Sequence, residues 1–185
     1  MLILASNSPR RRELLNAAGI PCEVLAIEID ESVAKLEPPG DHVRRLATEK
    51  ARAALQQRPE AVVLAADTIV LVGGEIMGKP RDDADAVRML RLLSGREHEV
   101  LTGLAVMSAR RSAVEVARTR VWFNPLSEGE IAEYVASGES RDKAGAYGIQ
   151  GLASRYIDRI QGSYSNVVGL PVALVYRLLK GYPER

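Results

Sequence analysis

Cysteine is almost missing from this 185-residue chain, with Cys22 its only representative. A lone thiol closes no disulfide within the chain and builds no thiolate zinc cluster; it fits a reducing compartment, so the expected location is cytoplasmic. Histidine is nearly as scarce, and His42 and His98 stand isolated, which leaves little support for a histidine metal site or a serine triad. Net charge is a third absence: 25 Lys and Arg against 24 Asp and Glu leave +1, so bulk binding to nucleic acid or a membrane surface is not expected and any basic site must be local. No run reaches the roughly 18 consecutive apolar residues of a membrane span, and no basic region precedes the apolar start, so neither a span nor an export signal is expected. What remains is 46% hydrophobic. That suits one globular unit over 1–185, burying about 70% of its unfolded surface.

The pattern along the chain is α/β with an antiparallel insert. MLILA has the character of a short apolar strand, and residues 9–18 follow as a helix with Ser8 as N-cap, Pro9 first inside and Gly19 at the stop. Residues 41–57 carry Val43, Leu46, Ala47, Ala51 and Ala54 at helical spacing. AVVLAADTIVLV is too uniformly apolar for a half-exposed strand and predicts a central, two-sided strand or a bent pair. Gly73-Gly74 is a turn, and DDADAVRMLRLLSG a helix capped by Asp82 or Asp83 and stopped by Gly95. EVLTGLAVMSA and SAVEVARTRVWF predict antiparallel strands around Arg110-Arg111. Ser127 and Glu130 frame a capping box, Gly138 ends that helix, and Pro171 opens a last apolar one. By spacing alone, Gly145, Gly148 and Gly151 mark a flexible loop.

Four places depart from what packing alone would select. Arg10, Arg11 and Arg12 fall in a first helical turn, where each cation costs about 0.3 to 1 kcal/mol against the dipole. An anion at that helix start would offset the cost; an i, i+3 pair with Glu13 is the plainer alternative. Asp67 puts a carboxylate in a segment that otherwise belongs in a core, so it is either a turn cap or a general base or hard-cation ligand held at a strand end. Lys50 follows Val43, Leu46 and Ala47 onto an apolar helix face, where it either snorkels outward or points inward at a phosphate. Gly73–Lys79 satisfies G-x-x-x-x-G-K, but Pro80 stands where a magnesium-binding hydroxyl belongs and disfavours a helical Lys79. A phosphate-cradling loop is therefore rejected, and Lys79 remains as a point charge on a fixed turn. Carboxylates, lysines, arginines and an oxygen-held metal suit phosphoryl or nucleotidyl transfer.

LASNSPRRRELL, AADTIV, GKPRD, LSGREHEVLTGLAV, DKAGAYGIQG and GSYSNVVGLP occur in the order seen in Maf proteins, the nucleoside triphosphate pyrophosphatases first named for a septum-formation phenotype. The resemblance runs from residue 2 to about 176, and DKAGAYGIQG resembles the branch acting on dTTP and UTP. It implies an elongated α/β fold with a mixed sheet, flanking helices and a central cleft, related to inosine triphosphate pyrophosphatases. It implies hydrolysis to a nucleoside monophosphate and pyrophosphate with a divalent cation, Mg or Mn, in a homodimer, with house-cleaning of modified nucleotides and an effect on division. By matched position, Asp67 becomes the catalytic base, and Arg11, Thr68 and Gln150 are tied to substrate choice. Ser6, Arg10, Lys50 and Lys79 line the phosphate site, and Glu31 joins Asp67 at the metal. The resemblance makes the stretch around Gly145, Gly148 and Gly151 the base-recognition wall, and Asp142 and Lys143 form either part of that wall or a structural pair. A nucleotide-binding regulator of division, with incidental hydrolysis, is the rival reading.

Overall fold

Strand β1 (Leu2–Ala5) is buried along its whole length because it lies between two parallel neighbours, β2 (Glu23–Leu25) and β3 (Val62–Val72). The computed structural model describes residues 1–182. Between these strands run α1 (Pro9–Ala17) and α2 (Pro39–Gln57). A Gly73-Gly74 turn, with φ of +56° and +86°, then folds β4 (Glu75–Met77) antiparallel onto β3. Helix α3 (Asp83–Leu93) leads to β5 (Glu97–Met107) and β6 (Ser112–Phe123). A tight hairpin closes this pair, with Ser108 and Arg111 each donating to the other's carbonyl. Helix α4 (Glu128–Ala136), β7 (Ile157–Gln161), a short α5 (Tyr164–Val168) and α6 (Val172–Leu179) complete the chain. The result is a seven-stranded mixed sheet of order β2-β1-β3-β5-β6-β7, with β4 paired to β3. The single central strand, rather than a bent pair, accounts for AVVLAADTIVLV.

The described residues divide into two compact units. Unit 1 holds Met1–Asp67, Thr102–Ala117 and the segment from Gly169; unit 2 holds Thr68–Leu101 and Arg118–Val168. In unit 1, alternate residues of one strand face opposite layers. Leu2, Leu4, Val62, Leu64, Leu104 and Val106 pack with Leu15 of α1 and Val175 and Leu179 of α6. Ile3, Ala5, Val63, Ala65 and Ala105 pack with Ala47, Ala51 and Ala54 of α2. The second layer is built from small side chains, and Gly103 shows why. A Cβ there would lie 2.0 Å from the Val43 carbonyl oxygen, so backbone meets backbone where α2 crosses β5. Unit 2 has its own core, in which α3 (Met89, Leu90, Leu93) and α4 (Ile131, Tyr134) enclose Val70, Val121 and Phe123.

Two local expectations are corrected. Ser8 starts α1 without a side-chain cap; instead its N–H donates to Ser6 Oγ at 3.2 Å. The glycine-rich stretch is not a flexible loop but a buttressed segment. It forms two short 3-10 turns, Ala144–Ala146 and Leu152–Tyr156, with Gly145, Ala146 and Tyr147 buried. Caps at Asp82 and Ser127 stand as expected: Asp82 accepts from Asp85 N–H at 2.7 Å, and Ser127 and Glu130 close both bonds of their box.

Candidate active site

The C-terminal ends of the parallel strands are where open α/β sheets collect ligands, and in unit 1 they collect charge. The register pairs Ala5 with Ala65, so β1 runs out at Ser6 as β3 reaches Ala66 and Asp67. Ser6 is buried, and its hydroxyl accepts from Arg11 Nη1 at 3.1 Å. The same Nη1 donates to the Ala66 carbonyl at 2.7 Å, and Nε donates to the Gly169 carbonyl at 2.9 Å. Arg11 therefore ties the first turn of α1 to the residue preceding Asp67 and to the turn before α6. Burial pushes its pKa down, and the attraction of Asp67 opposes that push, with Arg10 adding repulsion and Glu31 attraction. An arginine keeps its charge at any working pH under such a contest.

Lys50 points inward. Its ammonium lies 2.6 Å from Asp67 Oδ1 and 2.6 Å from Glu31 Oε1, with the lysine side chain 9% exposed, Asp67 11% and Glu31 57%. A buried ammonium is costly unless paired, and here one ammonium serves two carboxylates. The local cause is the crossing at Gly103: α2 touches the sheet at Val43, and Lys50 stands two turns further along the same face, about 10 Å away. Ser6 with Arg11, and Lys50 with Asp67 and Glu31, thus form two side-chain groups at the end of β3, Arg11 holding the Ala66 carbonyl next to Asp67, and Arg10 is close enough to affect Arg11 electrostatically.

Thr68, Lys79 and Gln150 belong to unit 2. Thr68 follows Asp67 on β3 and is half-buried, while Lys79 and Gln150 are exposed. No helix begins at Lys79, consistent with rejecting a phosphate-cradling loop: the chain turns, and α3 starts at Asp83. Gly78 beside it accepts from Gly145 N–H at 3.0 Å, and a Cβ at residue 145 would meet Val70 Cγ2 at 2.8 Å. Only glycine, at φ +69°, lies this close to β3. Gly148 N–H donates to Tyr134 Oη at 3.2 Å, and burial pushes that phenol up to about 12. His98 Nε2 meets Tyr147 Oη at 2.7 Å. The Glu139 carboxylate receives Leu152 N–H at 3.0 Å. Asp142 pairs with Lys143 at 2.8 Å, and Lys143 also donates to the Glu139 carbonyl at 2.6 Å.

Sequence reasoning missed three supports. Asp85, buried in α3, takes Arg81 N–H and Nε and Arg88 Nε, which fixes the turn after Lys79. The Arg81-to-Asp85 spacing was the available signal. Glu37 gathers Arg45, His42 and Ala34 N–H, and no periodicity marks the segment supplying it. Tyr147 and His98 meet only through the fold. A cavity of about 550 Å³ adjoins Pro80–Ala84 and Arg141 in unit 2. Its charges of opposite sign face one another, Arg141 lying 3.4 Å from Asp83.

Among the described residues no group of three His, Cys, Asp or Glu is placed to hold a metal, and no helix is long and apolar enough to cross a membrane. The converging oxygens of Glu31 and Asp67 nonetheless fit a hard cation, because magnesium is commonly held by one or two carboxylates with substrate phosphates completing its shell.

Fold and cluster together define an α/β protein whose strand ends present guanidinium, ammonium and carboxylate groups suited to phosphate chemistry. Residues 1–182 match the family model described as Maf-like protein, and the chain belongs to the Maf family. It is 50% identical to the dTTP/UTP pyrophosphatase of Hahella chejuensis over 98% of this chain and 92% of that one. It is 52% identical to that of Citrifermentans bemidjiense, over 97% and 94% respectively. The Symbiobacterium thermophilum dTTP/UTP pyrophosphatase is also 52% identical, over 98% and 95%. Among solved structures, the Staphylococcus aureus Ham1 protein superposes with a TM-score of 0.58 at 13% identity, covering 97% of this chain and 98% of that one. A Coxiella burnetii HAM1 protein gives 0.53 at 18%, with the same coverage. Both share the fold.

Proposed function

We propose that this protein is a nucleoside triphosphate pyrophosphatase that hydrolyses dTTP and UTP to the monophosphate and pyrophosphate. The observation that carries the reading is the pair of carboxylates converging on Lys50 at the end of β3, in a chain about half identical to proteins named dTTP/UTP pyrophosphatase. Asp67, fixed by its strand, is the general base that takes the proton from attacking water. Ser6, Arg10, Lys50 and Lys79 contact the phosphates; Ser6 offers a hydroxyl, and the positive charge of the other three favours the more anionic transition state. Thr68 and Gln150 set substrate choice; the Gln150 amide offers the donors and acceptor that a pyrimidine edge needs. Arg11 shares that role by holding the Ser6 turn and the Ala66 carbonyl in place.

Glu31 and Asp67 would hold a divalent cation, Mg or Mn. When bound, it neutralises triphosphate charge. The protein works in the cytoplasm as a homodimer, the first part supported by its single cysteine, the second by resemblance to its family. Sedimentation at micromolar concentration tests the dimer.

The deciding experiment incubates the purified protein with each nucleoside triphosphate and Mg or Mn, then identifies products. Monophosphate and pyrophosphate from dTTP and UTP, in preference to purine substrates, are expected. Diphosphate with phosphate would contradict the reaction type, and tight nucleotide binding without turnover would favour the regulator.

A further inference from the structure

Lys50 is bonded in a way that a purely phosphate-binding lysine does not require. Its ammonium occupies the point on which Glu31 and Asp67 converge, at 2.6 Å from an oxygen of each. A hard cation held by Glu31 and Asp67 would draw on the same two carboxylates. An ammonium and a divalent ion cannot share that point, because their like charges repel at such close range.

The identity of the residue matters. Arginine would grip with a planar fork, whereas lysine is a point charge on a four-carbon stem whose three donors rotate, so it can release one partner and take another. The stem is anchored, because Lys50 leaves the buried face of α2 beside Ala47, Ala51 and Ala54. The head lies next to Glu31, the most exposed member of the cluster at 57%. Only the head needs to move.

We propose that Lys50 is the resident cation of the carboxylate pair. It fills the divalent-ion position in the unloaded protein and leaves it when metal and nucleotide arrive, its ammonium passing from carboxylate to phosphate oxygen. The proposal rests on the reading of Glu31 and Asp67 as cation ligands. It makes metal binding weak without nucleotide and stronger with it, and the coupling is reciprocal.

The test is Mn²⁺ binding to the nucleotide-free protein, followed by electron paramagnetic resonance of free Mn²⁺. Lys50→Met removes the competing charge at similar length and is expected to tighten Mn²⁺ roughly 5- to 150-fold, the usual range of coupling between two sites. It should also make the thermal midpoint more responsive to Mn²⁺ than in the unsubstituted protein. Lys50→Arg keeps the charge and grips harder, so Mn²⁺ should bind more weakly; this variant serves if Lys50→Met does not fold. Unchanged or weaker Mn²⁺ affinity in Lys50→Met, or tighter affinity in Lys50→Arg, overturns the proposal. So does an absence of Mn²⁺ binding in every protein.

Pyrophosphate release by the unsubstituted protein, measured in parallel, separates the two failures. If UTP is cleaved and Lys50→Met gains no Mn²⁺ affinity, the resident-cation idea fails while the proposed activity stands. If UTP is not cleaved, the reading of the site fails with it.

Discussion

Helix α2 carries two ionic clusters built on opposite designs. Toward its start, Glu37 receives four donors: Arg45 Nε at 2.7 Å and Nη2 at 2.9 Å, His42 Nδ1 at 3.0 Å when that nitrogen is protonated, and Ala34 N–H at 3.2 Å. Further along, a single ammonium serves two carboxylates, Glu31 and Asp67. In the first cluster many donors hold one acid through a fixed fork, so nothing is left to exchange. In the second, one rotatable charge is shared between two acids, so a stronger cation or a phosphate can compete. Saturation by arginine makes a structural clamp, and sharing of a lysine makes a site that can change state.

The electrostatics of the Glu37 cluster fit a clamp. Hydrogen bonds from Arg45, with His42 and the Ala34 N–H assisting, hold the Glu37 carboxyl down to about 2. The contribution of Glu37 to stability is complete above its unfolded value near 4.5 and is lost as the pH falls toward 2.

The largest way to break the comparison is to move α2 itself. Gly103→Ala would put a Cβ 2.0 Å from the Val43 carbonyl oxygen and 2.3 Å from its carbon, contacts that only a shift of the helix can relieve. We expect about 3 kcal/mol or more of destabilisation by urea unfolding. Where the variant folds, turnover should drop by roughly 100-fold, because a misplacement of about 1 Å is felt at the reacting atoms. Stability and turnover like those of the unsubstituted protein would show that the crossing does not position Lys50.

A smaller effect sharpens the contrast. Glu37→Gln leaves Arg45 and His42 short of a charged acceptor and should cost about 1 to 3 kcal/mol, read by denaturant midpoint, with UTP turnover retained. Its acid unfolding curve should also be flatter between pH 4.5 and 2, by the sign just given. Lost turnover at preserved fold would make the clamp part of the chemistry. The smallest effect is expected of Arg45→Lys, which keeps the charge but gives up the fork; about 1 kcal/mol of stability should go, measured by thermal melting with activity unchanged.

Much of this was legible in the sequence, for identifiable reasons. Strands β1 and β3 are uniformly apolar because both of their faces meet helices. A carboxylate or ammonium inside such periodic segments stands out, and so Asp67 and Lys50 could be singled out from residue type and phase alone. Glu37 could not, since its segment has no period and its partners lie on a helix that reads as complete without it. Gly103 was hidden for the opposite reason: a lone glycine in an apolar strand marks close backbone approach, but the residue it approaches is set only by packing. The glycines at 145, 148 and 151 misled because spacing reports conformational freedom and not contacts. Here Val70, Lys143 and Glu139 occupy the space that side chains would need.

The most direct test of the account is the steady-state hydrolysis of UTP by Asp67→Asn beside Glu37→Gln, each compared with the unsubstituted protein at equal folded fraction. Loss of the proton acceptor should lower kcat for Asp67→Asn by roughly 100- to 10,000-fold with KM changed far less, while Glu37→Gln keeps its turnover. Near-normal kcat in Asp67→Asn would contradict the account.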